Sequence, residues 1–366
     1  MHLGDSHIAA DRFSGDLRER LQQRFGNAGR GLVQPGKPYR YFHARSVKTQ
    51  QSKGWKAANS LFKAPGPYSI TGVRLDAKKA GETLTLVTEN ASRTNEIEVE
   101  FLTGPDAGSV ELKFGGKTHT LNLSGSRTTI RRFKARTNSM SILTLDDRRV
   151  SVLGWSSYVP KPGLRYVSLG IPGATVSVMG KWNSKLVRAE IKHLNPDLII
   201  LGYGTNEGFK DDLNASAYQR KYEALVGKLK GMADNPSLLI LGAPDAARLP
   251  KYARKPDVSP PCKALSAQET AHYSMLLSQK SERLARWHAP PGLARVRMAQ
   301  RKAAQKLKAS FWDWSKVMGG TCGTYRWANA KPALAYGDKV HFTDAGGKRA
   351  ATALYKFLMK GYGRFS

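Results

Sequence analysis

Two short runs, Asp197-Leu-Ile-Ile-Leu201 and Ser237-Leu-Leu-Ile-Leu241, constrain the fold of this chain more than any other feature. Each is polar only at its first position, so neither alternates as a half-solvated strand would. An unbroken apolar strand needs cover on both faces, which is the condition of a parallel sheet between two helical layers. The segment between them supports this, because about Ala215–Ala233 has helical spacing with Leu225 and Leu229 inward. A second helical stretch, about Asn183–Leu194, precedes the first run, and a further strand is expected at Arg165–Leu169. Beyond the second run, helices are expected at about Ala267–Leu284 and Gly292–Ser310, a short strand at Phe311-Trp312-Asp313-Trp314, and a last helix at about Asp344–Met359. Strand–helix alternation of this kind predicts an α/β domain with a parallel sheet, three layers deep.

The rhythm differs between about Tyr68 and Tyr158. Thr83–Leu86, Glu96–Phe101, Glu111–Phe114 and Thr120–Leu123 alternate polar with apolar residues, and Gly104-Pro105, Ala107-Gly108, Gly115-Gly116 and Asp146-Asp147 punctuate them. Short alternating strands separated by turn residues predict an all-β sandwich inserted in the α/β part. The expected division is 65–155 for the insert and 1–64 with 156–366 for the discontinuous α/β domain. From Gly4 to about Phe25 the pattern is helical. Met1-His2-Leu3 leaves little room for a strand leading into it, so the expectation is a longer native chain with an upstream leader.

Charge limits the partners. The 366 residues carry 59 Lys and Arg against 28 Asp and Glu, a formal +31, which attracts polyanions. No zinc-finger spacing, RNA-recognition signature or basic zipper appears, so specific nucleic-acid binding is not expected. No apolar run approaches the ~20 residues of a membrane span. No acid occurs between Glu19 and Asp76, whereas Arg30, Lys37, Arg40, Arg45, Lys48, Lys53 and Lys56 alternate with Tyr39, Tyr41, Phe42, His43 and Trp55. This composition predicts a basic, aromatic loop over about 20–75 that lines a groove for an acidic glycan. A second basic block, 251–310, includes a helix whose cations are expected to be its solvated side. The two cysteines, Cys262 and Cys322, are too few for a metal cage; a single disulfide would fit an oxidising compartment, and two free thiols are the alternative.

Several motifs fail on inspection. Gly115-Gly116-Lys117-Thr118 lacks the leading glycine of a phosphate loop, Gly202-Tyr203-Gly204 lacks the third glycine of a dinucleotide fingerprint, and no Gly-x-Ser-x-Gly elbow is present. His43, His119, His193, His272 and His288 show no ligand pairing and read as structural or surface residues. Three other motifs, taken in order, do carry chemistry. Gly4-Asp5-Ser6-His7 places a serine at an expected strand–helix junction. Gly204-Thr205-Asn206-Glu207 puts an amide donor just past a buried strand. Asp338-Lys339-Val340-His341 supplies an acid and an imidazole before the last helix. Each has an ordinary alternative: Ser6 as a helix cap, Gly173 as a turn glycine, Asn206 as a turn asparagine, Asp338 and His341 as cap and surface residues. Together they supply a nucleophile (Ser6), a base (His341), its orienter (Asp338), and oxyanion donors from the Ser6 and Gly173 amides and the Asn206 side chain.

With these blocks the chain resembles the SGNH, or GDSL-like, hydrolase family. The resemblance implies a three-layer αβα fold and an esterase needing no metal or organic cofactor. A narrower likeness rests on Gly4–His7, Tyr203–Glu207, Trp312-Asp313-Trp314, Met318-Gly319-Gly320 and the Asp338/His341 segment. Through these the chain is similar to bacterial peptidoglycan O-acetylesterases, whose β-rich insert resembles a carbohydrate-binding module. It implies a periplasmic or secreted enzyme that deacetylates an anionic cell-wall polysaccharide. Few aromatics (Tyr68, Phe101, Phe114, Phe133, Trp155) are available for sugar binding by the insert, so a structural role is an equal expectation. Rival readings are an O-acetyltransferase, a non-catalytic glycan-binding protein and, from charge alone, a nucleic-acid binder.

Overall fold

The computed structural model describes residues 1–40, 42–62, 65–89, 95–256 and 258–363; Tyr41, one of the expected loop aromatics, lies outside them. Both apolar runs are central strands, Leu198–Gly202 and Ser237–Gly242. They belong to a five-stranded parallel sheet in the order Ser168–Gly170, His2–Gly4, Leu198–Gly202, Ser237–Gly242, Ser310–Asp313. Alternate side chains sort onto two faces. Ile199, Leu201, Leu238 and Ile240 pack with Val187 and Ile191, Tyr222 and Val226, and Val296 and Ala303, from three helices. Ile200, Leu239, Leu241 and Trp312 pack with Phe13, Leu17 and Leu21 and with Ala350, Ala351 and Leu354, from two others. Helices therefore cover both faces, and the chain has the three-layer SGNH-hydrolase fold.

The sheet's order places a topological switch point between His2–Gly4 and Leu198–Gly202, where chain connections leave in opposite directions and a crevice opens at the carboxyl ends. Three residues suffice for the first strand: His2–Gly4 pairs on both sides, and the Met1 amino group donates to the Leu198 carbonyl. Helix boundaries shift modestly. The N-terminal helical pattern is split into Ser6–Ala9 and Phe13–Phe25 by Asp11, whose φ is +48°. The expected helix Ala267–Leu284 is broken into Ala267–Ala271, Tyr273–Ser278 and a 3-10 turn, Glu282–Leu284.

Two antiparallel sheets face one another across a second core containing Leu75, Leu86, Val99, Phe101, Leu112, Ile142, Val152 and Trp155. One sheet runs Ile130–Arg136, Glu96–Leu102, Val150–Tyr158, Val73–Ala77, Lys56–Asn59; the other runs Val47–Gln51, Thr83–Thr88, Ser139–Thr144, Ser109–Phe114, Lys117–Asn122. The expected boundary at residue 65 does not coincide with the sheet boundary. Gly31–Val33, Val47–Gln51 and Lys56–Asn59 all pair with strands of these sheets.

The expected basic groove over 20–75 is therefore corrected. Trp55 is 3% exposed in the second core, and the Tyr39 hydroxyl turns inward to the Gly170 carbonyl at 2.6 Å. Arg30 is buried against Asp11, Arg45 pairs with Asp16 and Glu19, and Lys48 pairs with Glu89. Backbone strand pairing draws this segment into the sheets, and Arg30, Arg45 and Lys48 meet carboxylates.

Candidate active site

Glycines at three strand ends let the first helix lie directly on the sheet. A Cβ on Gly4 would come within 2.6 Å of the Gly202 carbonyl oxygen, and one on Gly170 within 2.2 Å of the Ala9 nitrogen. Asp5 caps the helix Ser6–Ala9, its carboxylate accepting from the His7 N–H at 3.0 Å. Capping is thus done by Asp5, and the Ser6 side chain is left to face the crevice. As the first residue of that helix, Ser6 has an amide with no intrahelical acceptor.

The segment carrying Asp338 and His341 arrives from the far end of the chain. Thr343 caps the final helix directly after it, through the Gly346 N–H. Lys339 adopts φ +57°, which turns the segment so that Asp338 Oδ1 accepts from the N–H groups of Val340 (2.9 Å) and His341 (3.0 Å). Asp338 Oδ2 lies 2.7 Å from His341 Nδ1, and His341 Nε2 lies 2.9 Å from Ser6 Oγ. Burial works to raise the Asp338 carboxyl, but the bonds from His341 and the two amides win and hold it down at about 2. A carboxylate at Asp338 keeps the His341 proton on Nδ1, so Nε2 is an acceptor for the serine hydroxyl.

Gly173 stands in an exposed turn at φ +80°, a conformation that favours glycine. The turn is fastened at both ends: Ile171 N–H donates to the Gly4 carbonyl, and Asn206 Nδ2 donates to the Ala174 carbonyl at 2.8 Å. Asn206 lies in the short helix Thr205–Gly208, just past the strand Leu198–Gly202. One amide hydrogen of Asn206 is used in that bond, which leaves the second as a donor. The neighbouring Glu207 is buried and accepts from Val176 N–H at 2.8 Å. Burial pushes its carboxyl up to about 7, although the Val176 amide pulls the other way.

Ser6, Asp338 and His341 thus form one hydrogen-bonded chain, and the Gly173 turn and Asn206 are tied to each other. Two contributors were not singled out from the sequence. His7 is buried with Nδ1 3.1 Å from Asp5 Oδ1 and Nε2 3.1 Å from the Val340 carbonyl oxygen, and its ring stacks on His341 at 5.6 Å. Both of its nitrogens face acceptors, so both bonds form together only in the imidazolium. Burial opposes that charge, but Asp5 and the Val340 carbonyl outweigh it and hold the imidazole above its ordinary value. Glu207 is the other, the last residue of a motif in which only Asn206 had a role.

A parallel αβα sheet with a Ser–His–Asp chain at its switch point defines a carboxylic ester hydrolase of the SGNH type. Residues 147–349 match the GDSL-like lipase/acylhydrolase family, and the chain belongs to it. Among solved structures, one described as a peptidoglycan O-acetylesterase in action aligns over 98% of this chain and 89% of its own, with TM-score 0.77 and 24% identity. A family two carbohydrate esterase from Clostridium thermocellum in complex with cellohexaose aligns over 91% and 99% with TM-score 0.34 and 10% identity. An acetyl xylan esterase, AlAXEase, aligns over 52% and 79% with TM-score 0.33 and 15% identity. No curated protein sequence matches the chain.

Proposed function

We propose that the chain is a serine esterase that removes O-acetyl groups from a cell-wall polysaccharide, with peptidoglycan as the preferred substrate. Ser6 Oγ attacks the acetyl carbonyl as His341 Nε2 takes its proton and Asp338 balances the imidazolium. The tetrahedral oxyanion is received by the Ser6 and Gly173 amides and the Asn206 side chain. The sugar hydroxyl leaves with the proton from His341, and water then releases acetate from the acetyl-serine by the same path. The observation that carries this reading is the continuous Asp338–His341–Ser6 hydrogen-bond chain. The peptidoglycan assignment is supported by the likeness to the O-acetylesterase structure over nearly the whole chain and by the strongly basic composition.

Export to the periplasm or cell exterior is supported by the Cys262–Cys322 disulfide, a bond that persists in oxidising compartments. The two antiparallel sheets are proposed to be the inserted module, now including strands from residue 31 onward. Its role is to support the fold, because Tyr68, Phe101 and Trp155 are buried and Phe114 and Phe133 pack against the second core.

The test offers O-acetylated peptidoglycan, acetylated xylan and an aryl acetate to wild type and to Ser6→Ala, measuring acetate. Ser6→Ala is expected to release none from any of them, and Asn206→Ala to lose roughly two to three powers of ten in turnover while remaining folded. Full activity in Ser6→Ala refutes the mechanism. Capture of the acetyl group by glycan in place of water would make the enzyme a transacetylase.

A further inference from the structure

A cleft of about 700 Å³ reaches Asp338 of the candidate site and is lined from the segments that follow Asn206 and precede His341. One rim is Phe209, which ends the helix bearing Asn206; the other is Gly337, Asp338 and Val340. Its outer wall is formed by Arg254, Lys255, Pro256, Val258 and Ser259, and Trp287 also lines it. Arg254 and Lys255 are exposed, and neither side chain has an ion-pair or hydrogen-bond partner among the described residues. Asp257 lies outside the described residues. Elsewhere in the chain many cations sit against carboxylates, as Arg18, Arg45, Arg132 and Arg248 do. Two exposed cations over a cleft that reaches Asp338 are placed to meet an anion from outside.

The cleft is tied together by several contacts. Trp287 Nε1 donates to Ser259 Oγ, Lys263 N–H donates to the Trp287 carbonyl, and Arg248 and His288 exchange backbone hydrogen bonds. The Lys339 ammonium lies 5.7 Å from the Trp287 ring centre and 5.5 Å from that of Tyr325. The disulfide from Cys262 to Cys322 fastens the wall to the loop before the helix Gly323–Ala328. A half-buried indole held in place beside cations suits a sugar face with a carboxylate attached.

We propose that this cleft is a subsite for a carboxylate-bearing segment of the substrate polymer, docked on Arg254 and Lys255 against Trp287 while its acetyl ester lies at Ser6. The inference rests on the deacetylase reading above and adds which part of the polymer is gripped, and by which residues. It also relocates the anion contact from the 20–75 segment, where structural pairing occupies several of the cations, to the segment after Ser237–Gly242.

The experiment compares full-length wild type with Arg254→Ala/Lys255→Ala and with the charge-keeping Arg254→Lys/Lys255→Arg, on O-acetylated peptidoglycan, neutral acetylated xylan and an aryl acetate. The alanine pair is expected to raise KM on peptidoglycan about tenfold relative to the aryl acetate measured with the same variant, with kcat largely retained. It should also flatten the salt dependence of the peptidoglycan rate, and the charge-keeping pair should restore both. An unchanged KM on peptidoglycan, or an equal rise on acetylated xylan, overturns the subsite while leaving the esterase reading intact. Wild type that cleaves the aryl ester but releases nothing from peptidoglycan overturns the substrate reading, and the subsite with it.

Discussion

His7 ties the helix that begins at Ser6 to the segment that carries His341. Its Nε2 contact with the Val340 carbonyl spans 333 residues of sequence and ends one residue before His341. Removing it frees the backbone of the base segment, and small displacements of reacting groups are expensive in rate. An asparagine at this position reaches Asp5 but not Val340; a glutamine reaches Val340 but not Asp5. His7→Asn is therefore expected to lower kcat by roughly ten- to a hundredfold with KM little changed, and His7→Gln to retain more of it. Equal kcat in the two variants would show that the Val340 bond does not matter. The sign with pH follows from the raised pKa of His7. Its stabilising contribution is fully present below the unfolded value of about 6.5 and is lost as pH rises through the higher folded value. Wild type should thus lose stability on the alkaline side, and His7→Gln should lose less, as thermal melts against pH would show. Ser6, Asn206, Asp338 and His341 were legible because each stands in a short motif at the end of an element. His7 was not, since its role depends on a carbonyl at the other end of the chain.

At the scale of elements, the short helix Thr205–Gly208 holds the segment after Gly173 through two neighbouring side chains, Asn206 to Ala174 and Glu207 to Val176. The second contact places a carboxyl in the interior. Folded, it keeps its proton to about pH 7; unfolded, it loses it near 4.5. A raised carboxyl value means that ionisation favours the unfolded chain, so the stability it contributes declines as pH rises between those two values, by up to about 3 kcal/mol. Glutamine keeps an acceptor for the Val176 N–H and cannot ionise. Glu207→Gln is expected to remove this decline, which chemical denaturation at pH 5 and pH 8 would measure; a parallel decline in both proteins would refute the assignment. The central strands could be read because burial on both faces leaves an unbroken apolar run. His2–Gly4 is too short to show a period and becomes a strand only through neighbours on both sides, whereas Ser168–Gly170 overlaps the strand expected at Arg165–Leu169. The break in the expected helix at 267–284 was hidden because its apolar spacing continues across His272, where φ −105° and ψ 20° leave the helical range.

Across the whole molecule, polar contacts that local patterns cannot encode hold distant segments together. Glu190, from the helix Ser184–Leu194, accepts from the Ile70 N–H at 2.7 Å, and His193 of the same helix pairs with Glu98 at 2.6 Å. Gly31–Val33 joined the sandwich for the same reason, its partner Val150–Tyr158 lying far along the chain, whereas Val47–Gln51 and Lys56–Asn59 pair with nearer strands in a stretch whose basic composition reads as loop. The Cys262–Cys322 bond is the covalent link at this scale. It closes a segment of 60 residues that includes Trp287 and the helix Pro291–Leu307 and begins just after Ser259 of the cleft wall. Loop-closure entropy for that length gives about 4 kcal/mol of stabilisation. Cys262→Ser/Cys322→Ser should therefore melt well below wild type under non-reducing conditions, and a reductant should bring wild type toward the variant. The bond fastens the cleft wall, whereas the Ser6–His341–Asp338 chain is held by its own hydrogen bonds and by Thr343. Below the melting range, acetate release from peptidoglycan should thus fall more in the variant than release from an aryl acetate. Equal losses on the two substrates would mean that the disulfide stabilises the fold without shaping the cleft.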